Sequence, residues 1–196
     1  HQSGISPLLN TNRPVDPLTE QRGIEMDVAV IGIGSMGKNH ARVLSELGRL
    51  GAVVDVNEET LYALGKRYQV PVFTSVADLL SSERPSAAII ATPTLYHGPI
   101  AVQMMDEGIP ILIEKPMTND IKSARDIMIK ASEEGHIVSV GHIERYNPVV
   151  SFCRRSILEK RLGRLYSLSS NRLSPYPPRI RDVGVIHDHA IHDIDV

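Results

Sequence analysis

The chain is short of several things, and most of the shortages exclude something. Its 196 residues include one cysteine, Cys153. No internal disulfide framework is available, and a reducing compartment fits. Charges nearly cancel, with 21 Lys and Arg against 23 Asp and Glu, a formal charge of −2. That balance makes no case for nucleic acid or a membrane surface as partner. No apolar stretch is long enough to span a bilayer. Aromatics are sparse, with no Trp, while apolar content is ordinary at 42%. What remains is a cytoplasmic globular protein, long enough for one full domain and part of another.

Residues 1–25 differ in character from the rest. They carry Pro7, Pro14 and Pro17, many polar residues and no sustained period. Without an apolar h-region they are not a signal peptide. They read as a poorly structured leader or arm, or as what precedes an alternative start at Met26, and no function is assigned to them.

Residues 28 to 37 read Val-Ala-Val-Ile-Gly-Ile-Gly-Ser-Met-Gly, a strand running straight into Gly32, Gly34 and Gly37. A helical pattern follows at once, which is the context a dinucleotide-binding turn requires. Gly32 permits the tight turn, Gly34 lets a pyrophosphate approach the backbone, and Gly37 lets the helix pack on the strand. Ser35 and Met36 open that helix, whose free N–H groups and positive dipole end face the phosphates. A second strand ends on Asp55, eighteen residues past Gly37, near the spacing of a ribose-binding acid. Asp55 would repel a 2′-phosphate, and no Arg follows it directly, which favours NAD over NADP. The bland alternative is a tight strand–helix turn with no ligand.

The alternation continues. Helices are expected over 35–47 (Val43, Leu44 and Leu47 inward), 58–68, 76–80 with Ser75 as cap, 98–107 and 120–134. Strands are expected over 51–56, 72–73, 87–91, 111–113 and 137–141. Strands apolar on both faces, separated by helices, argue a doubly wound parallel sheet covered on both sides, a Rossmann-type α/β domain over residues 26–145. Ligands of such sheets sit beyond the C-terminal strand ends. The polar clusters lie there: Gly32 to Gly37, Asp55, Thr92-Pro93-Thr94 with His97, Glu114-Lys115-Pro116, and His142.

From residue 146 the pattern changes. A helix runs from Asn147 and Pro148 to about Lys160, Arg164 to Leu173 alternates like a strand, and 183–196 reads as a helix. One strand and its helices cannot bury a core. Residues 146–196 therefore read as the incomplete beginning of a second domain.

Lys115 stands at a strand end before a proline, which pushes it to extended geometry. Near a nicotinamide, a lysine can stabilise a developing alkoxide; elsewhere it is simply solvated. Asp188 and His192 are four apart on a helix and share a face. A carboxylate beside a histidine orients it and raises its basicity, suiting it to accept a hydroxyl proton. The run His187 to Asp193 is also the composition of a metal cluster or a surface helix. The adjacency of His187 and Asp188, with no Cys or second cluster, argues against metal.

Taken together, the glycine turn, Thr92-Pro93-Thr94 with His97, Glu114-Lys115-Pro116 and Asp188-x-x-x-His192 resemble the glucose-fructose oxidoreductase / inositol dehydrogenase / rhizopine catabolism family, over residues 26 to 196. The resemblance implies a Rossmann domain followed by an α+β domain on an open, mostly antiparallel sheet. It implies NAD(P)-dependent oxidation of a sugar, nucleotide-sugar or cyclitol hydroxyl by a homo-oligomer. It makes His192 the general base, Asp188 its orienting acid and Lys115 the group near substrate oxygen and nicotinamide. It places Thr92, Pro93, Thr94, His97 and Glu114 on the cofactor side, and implies a cis Lys115–Pro116 bond. Gly141 to Pro148 resembles the nucleotide-sugar 3-dehydrogenases of the UDP-N-acetylglucosamine type. That puts His142, Arg145 and Asn147 on the substrate side, although helix capping and packing explain Arg145 and Asn147 equally well. A non-catalytic NAD(P)-binding sensor on the same fold is the competing reading.

Overall fold

A computed structural model describes residues 26–82, 84–171 and 190–195. Its elements run β1 (Met26–Ile31), α1 (Ser35–Glu46), β2 (Leu50–Val54), α2 (Glu58–Tyr68), β3 (Val72–Phe73), α3 (Val76–Ser82) and β4 (Pro85–Ile90). After a 3-10 turn over Thr94–Tyr96 come α4 (His97–Asp106), β5 (Ile111–Ile113), α5 (Ile121–Glu134) and β6 (Val138–Val140). A second 3-10 turn, Ile143–Tyr146, leads into α6 (Pro148–Leu158), and α7 (Ile191–Ile194) follows.

The strands form one parallel sheet in the order β3-β2-β1-β4-β5-β6. The chain winds outward one way from β1 through β2 to β3, then returns and winds the other way from β4. Between β1 and β4 lies the switch point at which such sheets take their ligands.

Alternation along the strands loads both faces. Ala29, Ile31, Ala52, Val54, Ala88, Ile90, Ile111 and Ile113 pack with Leu79, Ala101, Met104, Met105 and Ile127 from α3, α4 and α5. On the opposite face Val30 and Val53 pack with Ala41 of α1 and Leu61 and Leu64 of α2. Each large aliphatic side chain buried this way contributes about 1.5–3 kcal/mol.

The inward face of α1 differs from the expected one. Val43 and Leu47 are exposed at 41% and 67%, and the buried line is Gly37 and Ala41, with Leu44 half-buried behind them. Small residues at i and i+4 let this helix approach the sheet more closely than a Val or Leu stripe allows. A Cβ on Gly37 would land on the carbonyl oxygen of Gly32, and Gly32 itself sits at φ +88° against the backbone of Ala91 and Thr92.

Helix ends follow their local chemistry. Ser75 and Asp78 cap α3, since the Asp78 N–H donates to Ser75 Oγ and the Ser75 hydroxyl donates back to the carboxylate. Asp120 accepts the Ser123 N–H at the start of α5, and Gly135 closes it in the left-handed region. The expected strand over Arg164 to Leu173 is not formed in its described part, 164–171, which is exposed. Alternation alone does not make a strand. It needs a neighbour to hydrogen-bond, and none is present among the described residues. Of the expected helix over 183–196, the described part contains α7. Among the described residues no helix is long and apolar enough to cross a membrane.

Replacing Gly37 by Ala should destabilise the chain by about 1–3 kcal/mol or more, because the new methyl meets backbone rather than a movable side chain. Urea unfolding followed by circular dichroism reads this as a lowered midpoint.

Candidate functional site

The loops after β1, β2, β4, β5 and β6 converge along one edge of the sheet. Gly34 is exposed, and a Cβ built on it would meet nothing within 4 Å. The N-terminus of α1 carries no side-chain cap and no acidic residue in its first turn. Its backbone N–H groups therefore remain available to an anion. Asp55 follows β2, and its carboxylate accepts the Ile33 N–H from inside the glycine turn and the Asn57 N–H at 2.9 Å. The acid is thus held beside the glycine turn. Across the switch point, Thr92 Oγ1 is buried without a hydrogen-bond partner among the described residues. An open cradle, uncapped donors, a held acid and an orphaned hydroxyl together suit a dinucleotide.

Two segments flank the far side, and His97 ties them together. The ring is 1% exposed, with Nδ1 2.9 Å from the Pro116 carbonyl and Nε2 2.8 Å from the Thr92 carbonyl. Both ring nitrogens thus face backbone carbonyl oxygens, one from each segment. The Lys115–Pro116 bond is cis, as the family resemblance implies. Lys115 is half-buried beyond β5.

Glu114 is buried at 5% exposure. His40 Nε2 lies 2.7 Å from Oε1, and the Lys115 N–H donates to Oε2 at 3.1 Å. Burial alone would push the carboxyl up. The hydrogen bond and charge of His40, with the N–H and charge of Lys115, outweigh it and hold Glu114 below the ordinary glutamate range. His40 was not singled out from the sequence. Its position one turn after Gly37 on the phosphate-side helix is the signal that could have found it.

Beyond β6 the substrate-side candidates are already engaged. The Arg145 guanidinium forks onto Asp195, Nε donating to Oδ2 at 2.7 Å and Nη2 to Oδ1 at 2.5 Å. Asn147 caps α6 through the Val149 N–H at 2.9 Å and donates to Glu144 at 2.9 Å. His142 Nδ1 lies 3.6 Å from Asp195 Oδ2, a charge contact beyond hydrogen-bond reach. The bond from Arg145, aided by the charges of His142 and His192, outweighs burial and holds the Asp195 carboxyl low. His192 is therefore near Asp195, three residues along the chain, and Asp195 too was missed from the sequence. Asp188 lies outside the described residues. Among the described residues no group of three or more His, Cys, Asp or Glu could hold a metal ion.

Two measurements probe this geometry. Gly34→Ala should unfold like the parent chain yet bind NAD at least about tenfold more weakly by calorimetry, because the methyl enters only the phosphate space. Since folding depresses the Glu114 carboxyl, its contribution is present above the ordinary glutamate value. It is lost as pH falls through the lower folded value. Stability against pH should therefore be flatter on the acid side in Glu114→Gln than in the parent, with the parent's advantage confined to higher pH.

Comparison with known proteins agrees with this geometry. Residues 26–142 match the model of the GFO_IDH_MocA oxidoreductase family, described as an NAD-binding Rossmann fold. The chain is 36% identical over 174 residues to a UDP-N-acetylglucosamine 3-dehydrogenase of Acidithiobacillus ferrooxidans, covering 88% of this chain and 53% of that protein. The crystal structure of that enzyme, GnnA, superposes with a TM-score of 0.76 at 34% identity, covering 88% of this chain and 55% of the other. An inositol 2-dehydrogenase of Rubrobacter xylanophilus is 30% identical over 173 residues, 86% of this chain and 50% of the relative. The WlbA dehydrogenase of Bordetella pertussis, solved with NADH and UDP-GlcNAcA, gives a TM-score of 0.67 at 26% identity over 72% of this chain and 44% of WlbA. The chain thus spans about half the length of the curated relatives it matches. Its sheet, its glycine turn and these matches make one statement: the chain belongs to the GFO_IDH_MocA oxidoreductase family and carries that family's NAD-binding Rossmann fold.

Proposed function

We propose that this chain forms the cofactor-binding part of a dehydrogenase that uses NAD to oxidise a secondary hydroxyl of a sugar, with a nucleotide sugar as the best-supported class. One observation carries the reading. An open glycine turn with its acid, and a half-buried lysine two strands away, share the C-terminal edge of one sheet. The names of the relatives, UDP-N-acetylglucosamine 3-dehydrogenase and inositol 2-dehydrogenase, support a sugar or cyclitol substrate.

NAD, when bound, supplies the carbon that accepts hydride. This chain's residues bind, orient and move the proton. Gly34 and the first turn of α1 hold the pyrophosphate, and Asp55 accepts the ribose hydroxyls and repels a 2′-phosphate. The Lys115 ammonium donates to the substrate oxygen and stabilises negative charge as it develops there. An imidazole nitrogen of His192 takes the hydroxyl proton, with Asp188 orienting the ring. His142 lines the substrate side, and Arg145 and Asn147 hold that side in shape through Asp195 and the start of α6.

Incubating the protein with NAD and candidate nucleotide sugars, and following the absorbance of reduced cofactor, tests the reaction. Lys115→Met should lower turnover by about 10²–10⁴-fold while leaving NAD affinity within a few-fold. NAD binding with no oxidation of any hydroxyl compound would instead favour a sensor. Asp55→Asn should raise the affinity for NADP relative to NAD by about tenfold, since it removes one repulsive charge. Paired titrations of both cofactors read the ratio.

A further inference from the structure

We propose that His40 is a positioning residue for Lys115, acting through the Glu114 carboxylate. The dehydrogenase reading supplies what Lys115 does; the contact chain itself rests on geometry alone.

His40 is three residues past Gly37, so the helix that opens at the phosphate site also carries this ring. Nε2 meets Glu114 Oε1 at 2.7 Å, and the other oxygen of the same carboxylate takes the Lys115 N–H at 3.1 Å. One carboxylate thus joins a side chain of α1 to the main chain of the lysine. It has little freedom to do otherwise. A Cβ on Gly141 would lie 3.2 Å from both the carboxyl carbon and Oε2, so the end of β6 forms a close wall behind it. On the other side of Lys115, the Pro116 carbonyl is held by His97. The backbone is therefore engaged at two consecutive residues, at Lys115 by Glu114 with His40 behind it and at Pro116 by His97.

Removing His40 would leave Oε1 buried with its partner gone. A buried carboxylate in that position draws a proton or admits water. Either change alters the grip of Oε2 on the Lys115 N–H, and protonation also removes a negative charge that the Lys115 ammonium feels. The mechanism above does not use His40 directly, since its ring faces Glu114. Its effect reaches the reaction only by setting where Lys115 sits and what charge it senses.

Reductive methylation with ¹³C-formaldehyde labels every lysine, and Lys115→Arg assigns the Lys115 signal in NMR spectra of the chain. His40→Leu should move the Lys115 dimethyl resonance, leaving those of Lys66, Lys122 and Lys130 in place. His40→Gln, which keeps an N–H donor, should restore the parent position in large part. Adding His40→Leu to Glu114→Gln should change the Lys115 signal no further. With turnover in hand, His40→Leu should lower kcat about tenfold with KM for NAD unchanged. If His40→Leu does not fold, His40→Asn, whose amide is too short to reach, carries the same comparison. An unmoved Lys115 signal in a folded variant overturns the proposal, as does a double variant whose effects add. Because the lysine signal needs neither cofactor nor turnover, failure to oxidise any sugar would sink the dehydrogenase reading and leave this test standing.

Discussion

Helix α1 lies so near the end of β1 that only a hydrogen fits between them at Gly37. The rest of the cofactor edge follows from that closeness. It brings the uncapped helix start over the sheet at the switch point and leaves Gly34 facing open space. It also carries His40 down to the level of the β5 loop, where Glu114 meets it. A longer side chain at Gly37 would lift the helix and separate the phosphate site from the lysine segment. The aliphatic core beneath supplies the stability, but it tolerates substitution in a way this contact does not.

The loops on the far side use a different device. Glu114, His97 and Asp195 each satisfy two segments at once. Glu114 joins α1 to the β5 loop, His97 joins the β4 and β5 loops, and Asp195 joins Arg145, with His142 beside it, to α7. Buried polar groups are costly unless paired, so each node also restricts where its loops can lie. Among the described residues, Thr92 Oγ1 and His142 Nδ1 are buried without a hydrogen bond and lie on loops at this same edge. Orphaned polar atoms at a binding edge are groups that a ligand can satisfy.

Much of this was legible in the sequence, and the failures have physical reasons. The strand–helix alternation through β6 was readable because each element carries a strong apolar period and turn residues at its ends. The edge location of Asp55, Thr92, Lys115 and His142 followed from parallel topology alone. The inward face of α1 was misjudged because the residues that pack there, Gly37 and Ala41, are small, and hydrophobicity favours Val43 and Leu47. The segment 164–171 alternates but has no strand to pair with among the described residues. The partners of Glu114, Arg145 and Asn147 depend on which distant loop arrives beside them, which no local pattern states. His40 is 74 residues from Glu114, and Arg145 is 50 from Asp195.

The strand order carries one more consequence. Asp55 follows β2, while Lys115 follows β5, and β1 and β4 stand between them. Under the roles proposed above, the group that would choose between cofactors and the group that would meet the reacting oxygen therefore sit on different strands of the sheet. Under those roles, a change of cofactor at the β2 edge can leave the chemistry at the β5 edge untouched, and a change of substrate at the β5 and β6 edge can leave the cofactor choice alone. One sheet can in this way hold two decisions at separate edges.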